Sequence, residues 1–366
     1  MRVTNSMLVS NLRKNLNYSM TRMDKLQNQM ATGRKYAHIS DDPGALIYGM
    51  SARNKLARLD NYKSTVSTAQ DWLLQAEVGV MELQSTLVNA YELTIDAASD
   101  SKGTLPESGS DKPNIAMVVA QLRDHFVDTL NTTFGDKFVF SGYNTPGDPT
   151  LDPSGSGAYL DPAIKAFTVQ GSPPQLYFNG FNMSQFDGMS YAEFTSEPPS
   201  GPKAAELEQL RSLQADVLTF DVGTGVEMMV TMNGIDLLMF ATPDTDPGGT
   251  GEMVIRNSWD VMQELYVRTA AGEPAANISR MVSPLQGAQN HLLTKTAEIG
   301  GRVRRLELLE ARYESDAINY ERMRSDAEDA DMAEVIMYFK MAEAVHQAAL
   351  SAGARVIQPT LMDFLR

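Results

Sequence analysis

Two adjacent carboxylates stand in the segment ATGRKYAHISDDPGA, residues 31–45. Neighbouring aspartates can bind a metal ion or act as an acid–base pair, but the local sequence favours a helix cap. Asp42 precedes Pro43, which disfavours helical geometry at Asp42 and suits the first position of a new helix. We therefore predict that Asp41 and Asp42 cap a helix and place their charges at the positive end of its dipole.

Other reactive side chains are scattered along the chain. The sequence signatures of zinc proteases, P-loops and serine hydrolases are absent, and a chain without cysteine has no thiol chemistry. We predict no catalytic residue, no metal ligand and no cofactor. The four histidines stand in different segments without a second ligand at helical spacing: His38, His125, His291 and His346.

An enzyme or binding module in the middle of the chain stays open as an alternative. Its best feature is a group of aromatic residues, which the core of a β-sheet domain would also explain. These residues are Tyr177, Phe178, Phe181 and Phe186.

Charge is distributed unevenly. The net charge is −15 overall, with +7 in residues 1–63, −19 in residues 64–280 and −3 in residues 281–366. An acidic middle repels phosphate, and the basic beginning carries no base-reading motif, so we expect no nucleic acid partner. The sequence has neither a membrane span of roughly 20 apolar residues nor the apolar core of a secretory signal, so we expect no membrane partner.

Apolar residues recur at helical spacing near both ends of the chain. The last predicted helix covers about residues 330–354, and Gly33 has the position of a C-terminal cap for the first helix. The first helix carries an apolar stripe formed by Leu12, Leu16, Met20, Met23, Leu26 and Met30.

Two longer helices carry seams with a seven-residue repeat, which predicts coiled-coil packing. Gly300 and Gly301 interrupt the second seam, which indicates a bend or the close approach of a neighbour. The first seam is Leu59, Val66, Leu73, Val80, Leu87 and Thr94. The second is Leu285, Leu292, Ile299, Leu306, Tyr313, Tyr320 and Ala327.

The pattern between these helices is typical of short strands, and Asn233-Gly234 predicts a hairpin turn. The predicted fold is mainly α with an inserted β domain, and its N- and C-terminal helices pair as a long antiparallel coiled-coil bundle. The predicted domains are terminal helices at 1–42 and 330–366, a coiled-coil domain at 43–135 and 253–329, and a β-rich domain at 136–252.

Three segments resemble flagellin and the hook-associated proteins of the bacterial flagellum. They are QMATGRKYAHISDDPGA, IGGRVRRLELLEARYES and DMAEVIMYFKMAEAVHQAALSAGARVIQPTLMDFL. The resemblance covers about residues 1–142 and 255–366. Within the family, MRVTNSML, KFVFSGYNT and PTLMDFLR look most like the members at the junction between hook and filament. Where flagellin has an asparagine-rich step, this chain has LSAGARVIQP.

The resemblance implies a non-enzymatic structural subunit of that junction, with flagellin itself as the nearest alternative. It implies a flagellin-like fold in which the β-rich domain faces outward. It also implies a ring of identical subunits, with a neighbouring hook-associated protein, flagellin and a flagellar export chaperone as further partners. The chain would leave the cytoplasm through the flagellar type III channel without a cleaved signal and work in the extracellular flagellum.

The resemblance also implies that the terminal helices polymerise. Because they have little apolar partner surface within one chain, we expect them to be largely disordered in the free protein and to fold on assembly. The basic N-terminus and the acidic residues 327–334 predict electrostatic registration of the two ends. Gly33, Asp41, Asp42 and Pro43 are the predicted joint. The predicted assembly residues are Leu12, Leu16, Met20, Met23, Leu26, Met30, Val335, Ile336, Phe339, Ala344, Leu350, Phe364 and Leu365.

Overall fold

The computed structural model divides the chain into two compact units. The terminal unit comprises the described residues of Met1–Asn61 and Ala311–Arg366, and the central unit is Tyr62–Glu310. Two predicted assembly residues, Phe364 and Leu365, lie outside the described residues. The structure describes residues 5–38, 40–99, 112–135, 137–142, 166–199, 201–215, 217–244 and 251–357.

Helices dominate both units, as the sequence predicted. They are α1 Asn5–Thr32, α2 Pro43–Ala97, α3 Lys112–Leu130, α4 Tyr191–Thr195, α5 Ala204–Ala215, α6 Gly234–Leu238, α7 Ser258–Ala270, α8 Ala275–Ile278, α9 Val282–Glu328 and α10 Met332–Ile357. None of the helices in the described ranges is long and apolar enough to cross a membrane.

In the central unit, α2 and α9 run antiparallel. Near one end Gln70 Nε2 donates a hydrogen bond to Glu310 Oε2 at 3.2 Å, and near the other Gln286 Nε2 donates to Tyr91 Oη at 3.0 Å. The predicted seams lie in the core of this unit, where Val66, Leu73, Val80, Leu87, Leu285, Leu292, Ile299 and Leu306 are fully buried. The mainly α, coiled-coil fold is thereby confirmed.

The two glycines inside α9 have no structural neighbour to explain them. A Cβ added at Gly300 or Gly301 would meet no atom of the described residues within 4 Å, and α9 continues through both positions. Of the two predicted explanations, a close neighbour is therefore excluded within the described residues, and a bend of the helix stays a prediction.

Short strands occupy the middle of the chain. They are β1 Thr133–Phe134, β2 Lys137–Phe138, β3 Phe167–Gln170, β4 Gln175–Phe178, β5 Phe181–Asn182, β6 Met189–Ser190, β7 Thr219–Gly223, β8 Val226–Met229, β9 Met239–Pro243 and β10 Met253–Asn257. Every pairing among them is antiparallel: β1 with β2, β3–β4–β5, β7 with β8, and β6–β10–β9. Strand β10 begins just past the boundary predicted at residue 252, and the division into domains stays a prediction.

The predicted hairpin turn at Asn233-Gly234 was wrong. The Asn233 side chain accepts a hydrogen bond from the Ile235 N–H at 3.0 Å and caps α6, which leads directly into β9. Asparagine followed by glycine suits a helix N-terminus as well as a turn. Here the ring of Phe167 lies against Gly234, in space that a side chain would fill.

Candidate assembly surface and its joint

The terminal helices α1 and α10 pack against each other in the terminal unit. Near one end of the pair, Leu26 is buried with Val335 and Ala342. Near the other, Leu12 Cδ2 lies only 2.7 Å from the position that a Cβ on Gly353 would occupy. The helices therefore run antiparallel and give each other a partner within one chain, as the predicted pairing of the N- and C-terminal helices requires.

This seam has a seven-residue repeat on both helices. Its buried and half-buried positions on α1 are Leu12, Leu16, Ser19, Met23, Leu26 and Met30. On α10 they are Val335, Phe339, Ala342, His346, Ala349 and Gly353. Four of the α10 positions were missed from the sequence because alanine, glycine and histidine contribute little to an apolar pattern. Their spacing of three and four after Val335 was the available signal.

The outward face of the pair carries the remaining predicted assembly residues. Met20 is 58% exposed, and Ile336, Ala344 and Leu350 are also exposed. The pairing of α1 with α10 uses none of these four residues. Elsewhere on its exposed surface, α10 carries further large apolar side chains, namely Met337, Tyr338, Met341 and Val345.

A groove of about 270 Å³ runs between the two helices. Its walls combine aromatic and aliphatic side chains with a single charged residue, Arg22. From α1 it is lined by Asn15, Tyr18, Ser19 and Arg22, and from α10 by Tyr338, Met341, Ala342 and Val345. A groove of this composition can take up apolar side chains of another helix.

The N-terminal linker begins where α1 ends. Gly33 has a φ of +68°, which favours glycine, and its N–H donates to Gln29 O at 2.8 Å as in a C-terminal cap. Asp41 organises the following turn: its Oδ2 accepts from the N–H groups of Ala37 and His38, both at 3.2 Å. Its Oδ1 lies 3.2 Å from Lys25 Nζ. Asp41 was predicted to cap α2, but its hydrogen bonds hold this turn instead.

Asp42 has the geometry of an N-cap for α2. Its Oδ1 accepts from the Ala45 N–H at 3.1 Å, and its Oδ2 accepts from Tyr36 Oη at 3.0 Å. The hydrogen bond from the Ala45 N–H is the main cause of a lowered pKa of Asp42. The hydrogen bond between Tyr36 and Asp42 is the main cause of a raised pKa of Tyr36. Pro43 is the first residue of the helix. Within the described ranges, no three histidine, cysteine or acidic side chains are grouped as metal ligands.

The C-terminal linker joins α9 to α10 and has its own cap. Asp331 Oδ1 accepts from the N–H groups of Ala333 at 2.9 Å and Glu334 at 3.3 Å. The sequence reading missed this cap, although an Asp-x-x-Glu pattern before an apolar run is a helix-start signal. Both linkers therefore end at a helix whose first turn is capped by an aspartate.

The two linkers are joined by main-chain hydrogen bonds. The Lys35 N–H donates to Glu328 O at 2.7 Å, and the Ala330 N–H donates to Gly33 O at 2.9 Å. These bonds form a short antiparallel bridge centred on Arg34 and Asp329. One joint therefore connects the ends of all four helices α1, α2, α9 and α10.

Comparison with known protein families gives a match for the N-terminal part of the chain. Residues 3–145 match the family model for the bacterial flagellin N-terminal helical region. This stretch contains α1, α2 and α3, together with the N-terminal linker. The resemblance to flagellin-type proteins that the sequence predicted is confirmed.

Among individual proteins, the chain is similar to flagellar hook-associated protein 3. It is 22% identical to that protein of Escherichia coli strain K12, over 96% of both chains, and 22% identical to that of Salmonella typhimurium, over 95% of both. The fold is similar to a putative flagellar hook-associated protein from Vibrio parahaemolyticus, with a TM-score of 0.54, 17% identity, and coverage of 79% of this chain and 100% of that one. The fold is also similar to hook-associated protein 3 from Legionella pneumophila, with a TM-score of 0.50 and 12% identity. That match covers 75% of this chain and 99% of the other.

Proposed function

We propose that this chain is a structural subunit of the bacterial flagellum and forms the junction between hook and filament. The observation that carries the proposal is the apolar face of the α1–α10 pair. Met337, Met341 and Val345 are each more than half exposed on it. Large apolar side chains exposed one turn apart, on a chain of net charge −15, mark a contact surface for other subunits.

A junction role is favoured over a filament role by the relatives. Both curated relatives that match along nearly the whole chain are named flagellar hook-associated protein 3. The family model named for flagellin matches residues 3–145, the N-terminal part of the chain. Flagellin itself therefore stays the second candidate.

The partners that follow are further copies of this chain in a ring, a neighbouring hook-associated protein and flagellin. Before assembly an export chaperone would cover the same apolar face, and the chain would leave the cytoplasm without a cleaved signal. The predicted assembly residues Met20, Ile336, Ala344 and Leu350 suit contacts between subunits because all four are exposed. Leu16, Leu26 and Val335 would serve assembly indirectly by holding the helix pair together.

The test is a deletion strain examined by electron microscopy of its flagella. We expect normal hooks with filaments shed into the medium. Complementation with a Met341→Asp, Val345→Asp variant should fail, whereas the matched Met341→Leu, Val345→Ile variant should restore attachment. Hooks that keep their filaments in the deletion strain would refute the junction role. Purified chains that polymerise alone into long filaments would favour flagellin.

A further inference from the structure

We propose that Glu328, held by Arg53 over Gly49, is a latch that closes the joint between the two linkers. In this proposal the latch must be closed for the α1–α10 pair to enter an assembly. The second statement rests on the proposed function, but the first can be tested on the free chain.

The latch is an ion pair with one buried partner. Arg53 Nη2 on α2 contacts Glu328 Oε2 at the end of α9. The Glu328 side chain is only 6% exposed, whereas that of Arg53 is 43% exposed. A buried carboxylate is stable only with its partner in place, so the position of Glu328 depends on Arg53.

Gly49 provides the space for this carboxylate. A Cβ at residue 49 would lie 2.4 Å from Glu328 Oε1 and 2.7 Å from Glu328 Cγ. Gly49 is buried on α2, one turn before Arg53. A glycine inside a long helix has a cost relative to alanine, and here that cost opens a socket for the acidic side chain.

Glu328 belongs to the bridge as well as to the latch. Its carbonyl accepts the Lys35 N–H at 2.7 Å, and the adjacent rung runs from Ala330 N–H to Gly33 O at 2.9 Å. Seating the side chain on α2 therefore also fixes the main chain that pairs with the N-terminal linker. This residue couples α2, α9 and both linkers, so displacing it should open the bridge.

The ion pair is one way in which charges could align the two ends of the chain, as the sequence predicted. Residues 1–63 carry a net charge of +7, and four of the eight residues 327–334 are acidic, with none basic. Within these stretches, Arg53 and Glu328 make the ion pair that joins the two ends of the chain. Arg34 and Asp329 face each other in the main-chain bridge between the linkers.

The first experiment measures amide hydrogen exchange at Lys35 and Ala330 in the free full-length chain. Gly49→Ala improves helix propensity but fills the socket, and Glu328→Gln removes the charge. In both variants we expect exchange at least tenfold faster at these two amides. Glu321→Gln should leave them unchanged, because Glu321 pairs with Arg324 on the exposed side of the same helix.

Unchanged exchange in both Gly49→Ala and Glu328→Gln would overturn the latch. Helix content by circular dichroism and protection at Leu87 in the central unit identify a variant that simply fails to fold. In that event Arg53→Gln, which removes the ion pair without placing a side chain in the socket, must still raise exchange at Lys35 and Ala330, or the latch is refuted.

The second experiment asks whether assembly needs the closed joint. Chains with an open joint should fail to restore filament attachment in the deletion strain, whereas Glu321→Gln should restore it. Normal attachment by a chain whose joint exchanges rapidly would refute the requirement. If the deletion strain keeps its filaments, the proposed function is wrong, and the exchange data still decide whether the latch exists.

Discussion

Phe140 lies directly against Gly79 of α2. A Cβ at residue 79 would be 2.8 Å from Phe140 Cζ and 2.9 Å from Phe140 Cε2. Phe140 is fully buried, and it follows the β1–β2 hairpin. The glycine thus lets a ring from the strand-containing region sit on the backbone of the long helix.

The first prediction uses this contact. Gly79→Ala should lower the free energy of unfolding by about 1–3 kcal/mol, because the methyl group overpacks the ring and the ring cannot move away within a dense core. Gly300→Ala is the matched control, since a Cβ there meets no described atom within 4 Å. It should raise stability by up to about 1 kcal/mol. Chemical denaturation of both variants would measure this, and equal effects would contradict the role of the ring.

Gly79 illustrates what the sequence can and cannot predict. The α2 and α9 seams could be predicted because a seven-residue repeat is a local pattern, and residues such as Leu73 and Leu292 are buried as expected. The partner of Gly79 is more than 60 residues away along the chain, so no local pattern identifies it. The joint is likewise only partly predictable from local sequence patterns. Its caps at Asp42 and Asp331 have sequence signals, whereas the Arg53–Glu328 pair depends on tertiary structure.

The second prediction concerns pH and a group of charges around the start of α7. Arg256 Nε lies 3.0 Å from Asp187 Oδ1, and Arg256 also pairs with Glu264. Nearby, Ser184 Oγ donates to Asp260 Oδ1 at 2.7 Å. Burial, followed by the charge of Asp187, raises the pKa of Asp260 to about 7.

Asp260 should therefore make the folded protein more stable in acid. The folded state keeps a proton on Asp260 that the unfolded chain releases near pH 4, so this contribution declines as pH rises from about 4 to 7. Linkage puts its full size on the order of 4 kcal/mol. Asp260→Asn should remove this part of the pH dependence and stabilise the protein above pH 7, as measured by denaturation from pH 4 to 8. Parallel curves for the variant and the natural chain would contradict the assignment.

The third prediction tests the start of α2. Asp42→Ala removes the acceptor for the Ala45 N–H, so exchange at this amide should increase about fivefold, as expected for a lost N-cap. Tyr36→Phe removes only the hydrogen bond to the other carboxylate oxygen and should have a smaller effect. Asp42→Asn keeps an acceptor and is the control. If a metal-dependent activity were lost in Asp42→Ala, the cap would not be the function of this residue.

The fourth prediction concerns the terminal helices of the free chain, which the sequence predicts to be largely disordered. The α1–α10 seam includes Ser19, Ala342, Ala349 and Gly353, which bury far less apolar area than the leucines and valines of the α2 seam. A helix pair with so small a core should open often in the free chain, because it has no contacts with other subunits to stabilise it.

Amides between Leu16 and Met30 should thus exchange at least a hundredfold faster than those between Val66 and Leu87 in the free chain. Ser19→Ala should slow exchange between Leu16 and Met30 and so reduce the difference in exchange rate between the two segments. The substitution removes a half-buried hydroxyl from the seam and favours the helix. Thr21→Ala is the control: it gives the same gain of a strong helix former at an exposed position of α1. Equal protection of the amides of Leu16–Met30 and Val66–Leu87 in the free chain would contradict this prediction. It would mean that the α1–α10 pair is stable without contacts to other subunits.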